Sequence, residues 1–174
     1  MKQIITVLNT GGTFNKKYNK INGTLEIPQK AKKLNKTVKK ILKSTEKNIK
    51  FEIKALIFKD SLEMTKKDRS SIFDEVSKSK NRLFLIIHGT DTIHLTAEYL
   101  ARYLPKKSQK KIVLTGAMKP FEIDSIESSL NIGMSLSFLQ NSNQKESNIF
   151  IAMNGVVKKY KKIKKNRIKG FFTI

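Results

Sequence analysis

The sequence contains no cysteine. Disulfides and cysteine-ligated metals are therefore excluded. Histidine is almost as scarce: His88 and His94 are the only two, too few for a His-rich metal site. Neither a metal nor another cofactor is expected. No apolar run reaches the ~18 residues that suggest a transmembrane helix, so no membrane partner is expected either. The N-terminus, MKQIITVLNTGG, has too short an apolar stretch for a signal peptide and lacks a convincing cleavage site, and a cytoplasmic protein is the expectation. Proline- or glycine-rich linkers and internal repeats are also missing, which predicts a single domain over residues 1–174.

Acidic residues are few as well, 14 against 36 basic ones, for a net charge of +22. Such a charge suits a polyanionic partner, nucleic acid above all. Yet only Arg69, Arg82, Arg102 and Arg167 among the basic residues are arginine, and specific nucleic-acid binders lean on arginine for bidentate contacts. Lysine, asparagine and isoleucine are the residues that AT-rich codons encode, so a low-GC genome gives this profile without selection for binding. Interleaving of aromatic with basic residues, the mark of a single-strand binder, is confined along the chain to Tyr160. Drift is the reading adopted, and nucleic acid is not the favoured partner.

What is present is an alternation of strand-like and helix-like segments. KQIITVLN, FEIKALIF, RLFLII, KIVLTGAM and SNIFIAMNG read as strands, and the unbroken apolar run in RLFLII suits a central parallel strand covered on both faces. Between them, residues 30–45 read as one helix with Ala31, Leu34, Val38, Ile41 and Leu42 on a common face. Residues 65–79 open with Thr65 and Asp68 in capping-box spacing. TIHLTAEYLARYL and SSLNIGMSLSFLQ read as two further helices, and the lysine-rich segment after residue 155 reads as a solvated tail. The alternation predicts an α/β fold of three layers: a Rossmann-like or flavodoxin-like parallel sheet with helices on both faces.

Such sheets place ligands beyond the carboxyl ends of their strands. The small polar motifs all fall there: NTGGT after the first strand, KDS (59–61) after the second, HGTDT (88–92) after the third, TGAMKP (115–120) after the fourth and MNG (153–155) after the fifth. TGGT alone fits two readings. Gly11 and Gly12 permit a tight turn that a ligand can approach, with Thr13 as an aimed hydroxyl, or they form an ordinary strand-end turn. In HGTDT, Thr90 and Asp91 fit helix capping, or a water-orienting hydroxyl beside a carboxylate that grips a cation. His88, closing a buried run, reads as a core histidine.

TGGT, HGTDT and VLTGAM, followed by a proline, stand in an order and spacing that resemble the bacterial-type L-asparaginases. The resemblance covers nearly the whole chain but only the N-terminal domain of that family. It is similar to the family's short, single-domain branch, with the C-terminal domain absent. It implies an amidohydrolase that hydrolyses the side-chain amide of L-asparagine, with L-glutamine as a second candidate substrate. Thr13 takes the place of the nucleophile, and Tyr18 that of a mobile-loop tyrosine which activates it. Ser61 takes the place of the serine that binds the substrate α-carboxylate. Thr90 and Asp91 match the second threonine and the aspartate that holds the substrate ammonium. Lys165 matches the lysine paired with that threonine, with Lys164 as the alternative register. Chemically the set is sensible. Amide hydrolysis needs a nucleophile, a proton acceptor and an oxyanion stabiliser, the last supplied by backbone amides beside Gly12 and Gly89.

The chain departs from the family in two places: Ile126 stands where the short relatives carry a second acid, and Leu62 where longer ones often have a polar residue. A homodimer or higher homo-oligomer is expected to close the pocket, through Leu130, Met134 and Phe138 on the lysine-poor helix. The rival readings are a basic nucleic-acid-associated protein and an amidotransferase-type subunit on the same fold.

Overall fold

The computed structural model describes residues 3–45, 48–141 and 148–174. The first strand, β1 (Gln3–Gly11), leads through a turn into a small hairpin of β2 (Lys17–Asn19) and β3 (Thr24–Glu26). After helices α1 (Ala31–Leu34) and α2 (Lys36–Leu42), β4 (Ile49–Lys59) pairs parallel with β1. Helix α3 (Lys66–Lys78), strand β5 (Leu83–Ile87), helix α4 (Ile93–Tyr103), strand β6 (Lys111–Thr115), helix α5 (Ser125–Gln140) and strand β7 (Asn148–Met153) continue the alternation. The sheet runs β4-β1-β5-β6-β7 in parallel and ends on β8 (Val156–Lys159), antiparallel to β7. No helix among the described residues is long and apolar enough to cross a membrane.

Side-chain alternation on the strands makes two cores. Phe84 and Ile86 of β5, with Ile112 and Leu114 of β6, face α3 and α4, where Ile72, Val76, Ile93, Ala97 and Leu100 meet them. Leu85 and Ile87, with Ile5 and Val7 of β1, face α2 and α5, where Val38, Leu42, Ile132, Leu136 and Leu139 complete the other layer. Four consecutive fully buried residues, Phe84–Ile87, require cover on both faces of the sheet. The expected three-layer α/β fold is the one found.

Three segments depart from expectation. The helix expected over 30–45 breaks at Asn35, directly after Leu34, whose carbonyl accepts the side-chain amide of Asn9 at 3.2 Å. The turn after β7 is a hairpin: Asn154 and Gly155 both have positive φ, 52° and 77°, as a type I′ turn requires. The lysine-rich segment is folded, not a solvated tail. After β8 a 3₁₀ turn (Tyr160–Lys162) leads to an antiparallel pair, β9 (Lys164–Asn166) and β10 (Phe171–Thr173). Ile163 and Phe172 anchor it by burial in the α3/α4 core. Phe138, expected on an outer face of α5, instead packs on Phe150, with ring centroids 4.6 Å apart, and lies under the Lys111 ammonium. Leu130 is exposed as expected.

β1 sits between β4 and β5, so the chain leaves it toward opposite edges of the sheet. That reversal opens a crevice beyond the carboxyl ends of β1 and β5, the usual ligand position in such a sheet.

Candidate active site

The turn after β1 is shaped by close backbone approach. Gly11 and Gly12 have φ of 87° and 76°. A Cβ on Gly11 would lie 2.3 Å from the Lys59 carbonyl oxygen, and one on Gly12 would lie 2.4 Å from the Gly89 Cα. No side chain fits in either place. The Gly12 amide donates to the Lys59 carbonyl at 3.0 Å, which ties the turn to the end of β4. Thr13 then opens a 3₁₀ turn (Thr13–Asn15) closed by the Asn15 amide on the Gly12 carbonyl and the Lys16 amide on the Thr13 carbonyl.

Beneath this turn lies a buried amide pair that the motifs do not reveal. Asn9 and Asn15 exchange side-chain hydrogen bonds, both of 2.9 Å, and Asn15 also donates to the Gly11 carbonyl. The readable signal is Asn9, a polar residue that ends an apolar run and so needs a buried partner. Thr10, the other threonine of the motif, spends its hydroxyl on the Ile87 carbonyl at 2.7 Å and joins β1 to β5.

The second turn meets the first through Gly89. A Cβ there would lie 2.7 Å from Ser61 Oγ, so Gly12, Gly89 and Ser61 pack as one block. Ser61 is buried, and its hydroxyl has no hydrogen-bond partner among the described residues. Its carbonyl accepts from Thr92 Oγ at 2.6 Å. Asp60 caps the 3₁₀ turn that carries Ser61 and pairs with Lys16 at 2.8 Å. Lysine and hydrogen-bond donors hold its carboxyl below the usual carboxylate range, outweighing the opposing effect of burial.

Lys165 reaches into the second turn from β9. Its ammonium donates to Thr90 Oγ at 2.9 Å and to Asp91 Oδ1 at 3.0 Å, and its side chain is 11% exposed. Of the two candidate lysines it is Lys165 that the structure brings to Thr90 and Asp91, and Lys164 lies on the other side of β9. Ile163 is the sequence signal for this parity: one apolar residue in a lysine tract marks the inward side, and residue 165 shares it. Arg167 adds a second cation, its Nε 3.6 Å from Asp91 Oδ1, a partner the motifs did not indicate.

Two expected residues stand apart from this cluster. The Thr13 hydroxyl makes no hydrogen bond among the described residues and follows directly on the Gly12–Gly89 contact. Tyr18 lies on β2, 59% exposed, opposite Leu25. Its hydroxyl is 3.9 Å from the space a Cβ on Gly23 would fill, and no hydrogen bond joins it to Thr13 among the described residues.

His88 lies behind the second turn, fully buried. Nδ1 donates to the Gly89 carbonyl and Nε2 accepts from Thr96 Oγ, both at 2.8 Å. Burial pushes its pKa down to about 4, so the ring is a neutral strut. An unfolded histidine titrates near 6.5. Between pH 6.5 and 4 the unfolded chain therefore binds a proton that the folded chain refuses, and stability falls as pH falls through that window. Urea unfolding of the wild type and His88→Gln at pH 7 and pH 4.5 should show the wild type losing about 2 kcal/mol more than the variant. Equal losses would show that His88 takes up its proton in the folded state.

The fold and the crevice define a doubly wound α/β domain that carries a threonine–lysine–aspartate cluster at its switch point. The sequence pattern of the family described as asparaginase, N-terminal, matches residues 4–174, and the chain belongs to that family. Over 74 residues it is 35% identical to a probable periplasmic L-asparaginase of Haemophilus influenzae, covering 42% of this chain and 21% of that protein. It is 28% identical over 136 residues to a glutamyl-tRNA(Gln) amidotransferase subunit from Methanosphaera stadtmanae, covering 78% of this chain and 30% of that one. The crystal structure of L-asparaginase I from Vibrio cholerae superposes with a TM-score of 0.80 at 22% identity, over 99% of this chain and 51% of that enzyme. The chain thus spans about half the length of the solved enzyme and less of the other two.

Proposed function

We propose that the protein hydrolyses the side-chain amide of L-asparagine to the acid and ammonia, with Thr13 as nucleophile. The observation that carries this reading is the Lys165–Thr90–Asp91 cluster on the turn that Gly12 packs against through Gly89, next in sequence to a Thr13 hydroxyl that makes no hydrogen bond among the described residues. Thr13 Oγ attacks the amide carbon, the C–N bond breaks, and ammonia leaves with the proton given up by the hydroxyl. Water then cleaves the ester, releasing the acid and restoring Thr13. Because Lys165 donates to Thr90 Oγ, the Thr90 hydroxyl proton is free to point at substrate or at the attacking water. The Thr13 and Gly89 amides carry no other hydrogen bond among the described residues and suit an oxyanion.

At the amino-acid end of the substrate, the unpartnered Ser61 hydroxyl takes the α-carboxylate and Asp91 the ammonium. Holding that end converts binding into orientation of the amide. Tyr18 activates Thr13 when the β2–β3 hairpin folds over the rim. Lys17, paired with Glu122 at 2.5 Å, tethers the base of the hairpin. A homodimer joined through the lysine-free face of α5, where Ile126 and Leu130 are exposed, accompanies this reading, and a monomer by light scattering at assay concentration rules it out.

An ammonia-release assay with L-Asn, L-Gln and D-Asn tests the function. Turnover of L-Asn above the other two is expected. No release from any of them removes the hydrolase reading.

A further inference from the structure

The outer surface of α4 carries a feature that amide hydrolysis does not use. A furrow of about 290 Å³ runs between α3 and α4, lined by Lys66, Arg69, Tyr99, Arg102 and Tyr103. On the other side of α4, depressions of about 260 and 360 Å³ lie against residues 159–164 and share Tyr160 and Lys161. Glu98, on the crest of the helix, borders both the furrow and the smaller depression, so the three lie side by side across α4. Lys106, Lys159, Lys162 and Lys164 add further positive charge. Glu98 is the one carboxylate among the lining residues, and Arg102 pairs with it at 3.5 Å.

The aromatic rings are placed among these cations. Tyr99 and Tyr103 lie with centroids 4.7 Å apart, Tyr103 is 46% exposed, and Phe73 braces it edge-on at 6.4 Å. The Lys161 ammonium stands 5.9 Å from the Tyr160 ring. The interleaving of aromatic and basic residues that the linear sequence lacks is therefore present in space, assembled from α4 and the segment after β8. Two buried nitrogens in the walls, Arg69 Nε and His94 Nδ1, have no hydrogen-bond partner among the described residues. Neighbouring lysines of β9 serve the two places: Lys164 lines the smaller depression, whereas Lys165 reaches Thr90 and Asp91.

We propose that this strip binds single-stranded nucleic acid. The sugar–phosphate backbone follows the lysines and arginines, and unpaired bases stack on Tyr103 and its neighbour Tyr99. An exposed ring braced from behind offers a stacking platform that only an unpaired base can use, while the cations supply sequence-independent attraction. Compositional drift accounts for lysines scattered over every face. It does not account for three of the four tyrosines and two of the four arginines converging on one strip with a single carboxylate.

Fluorescence anisotropy with labelled oligo(U) and oligo(dT) of about twelve nucleotides, and with a duplex of equal length, tests this at near-physiological salt. Both single strands should bind at least about tenfold more tightly than the duplex, and the stronger of the two identifies RNA or DNA as the source. Tyr103→Ala should weaken single-strand binding about tenfold while Tyr103→Phe, which keeps the ring, binds as wild type. Lys161→Glu/Lys162→Glu should weaken it by more than about tenfold and flatten its salt dependence. Lys36→Glu/Lys39→Glu, the same change of charge on α2 across the sheet, should cost less than about threefold. Duplex bound as tightly as single strands, or equal losses from the two charge-reversal pairs, would overturn the proposal.

Discussion

Replacing Thr13 with alanine lowers kcat for amide hydrolysis by more than about a hundredfold, as expected when a covalent route is lost, and leaves the thermal midpoint almost unchanged. The two halves of this expectation rest on different atoms. In the proposed mechanism activity rests on Thr13 Oγ, which makes no hydrogen bond among the described residues and so contributes nothing visible to folding. Stability of the turn rests on the backbone and on its neighbours. The Gly12 amide is bonded to the Lys59 carbonyl, the Lys16 amide to the Thr13 carbonyl, and Asn15 to Asn9 from beneath. None of these involves the Thr13 side chain. Thr13→Ser keeps the hydroxyl and should recover much of the rate, though its freer χ1 leaves the oxygen less well aimed. The comparison is made by steady-state kinetics on L-Asn alongside thermal unfolding. Turnover of Thr13→Ala within about threefold of wild type would remove Thr13 as nucleophile.

The sheet and the rim were legible because each rests on a pattern carried by successive residues. Leu83–Ile87 is too apolar to face water on either side, and five strands with interposed helices allow few topologies. The glycines were legible as a group because their motifs all fall at one end of the sheet. The residues that the pattern did not reveal depend on contacts between distant segments. Asn9 and Asn15 make sense only once the 3₁₀ turn folds back beneath β1. The break at Asn35 coincides with the Leu34 carbonyl accepting from Asn9, a contact between distant segments with no local signature.

Other features were present in the sequence, but their bearing on the site depends on segments far apart along the chain. Asn154-Gly155 between apolar residues is a strong hairpin signal, and it turns the chain into the edge strand that leads to Lys165. Tyr99, Tyr103 and Tyr160 look unrelated along the chain, because α4 and the segment after β8 come together only through the burial of Ile163 and Phe172. Lysine as a residue type carries no register. Ile163 carries it, through the alternation of β9.

Thr90 and Lys165 should behave as one catalytic unit. Thr90 is almost wholly buried, and the Lys165 ammonium has Thr90 Oγ at 2.9 Å and Asp91 Oδ1 at 3.0 Å as its partners. In the proposed mechanism Lys165 acts on the reacting atoms through the Thr90 hydroxyl. Thr90→Val removes the hydroxyl at nearly constant shape and leaves Lys165 nothing to act through. Lys165→Met removes the charge at similar length and leaves Thr90 unpolarised. Asp91 keeps Arg167, 3.6 Å away, as a partner, so Lys165→Met should remain folded. Each single change should lower kcat by about 10²–10³, within the range of about 10²–10⁴ for a positioned acid–base group. Independent effects would multiply to about 10⁴–10⁶, whereas residues that act as a unit are strongly non-additive. The double variant is expected within about threefold of the poorer single variant. Lys165→Arg adds a second discrimination, because a guanidinium preserves the charge beside Asp91 but cannot give up a proton. Low activity in Lys165→Arg, together with non-additivity, assigns proton transfer to the pair. Multiplicative losses in the double variant would show that Thr90 and Lys165 serve separate steps.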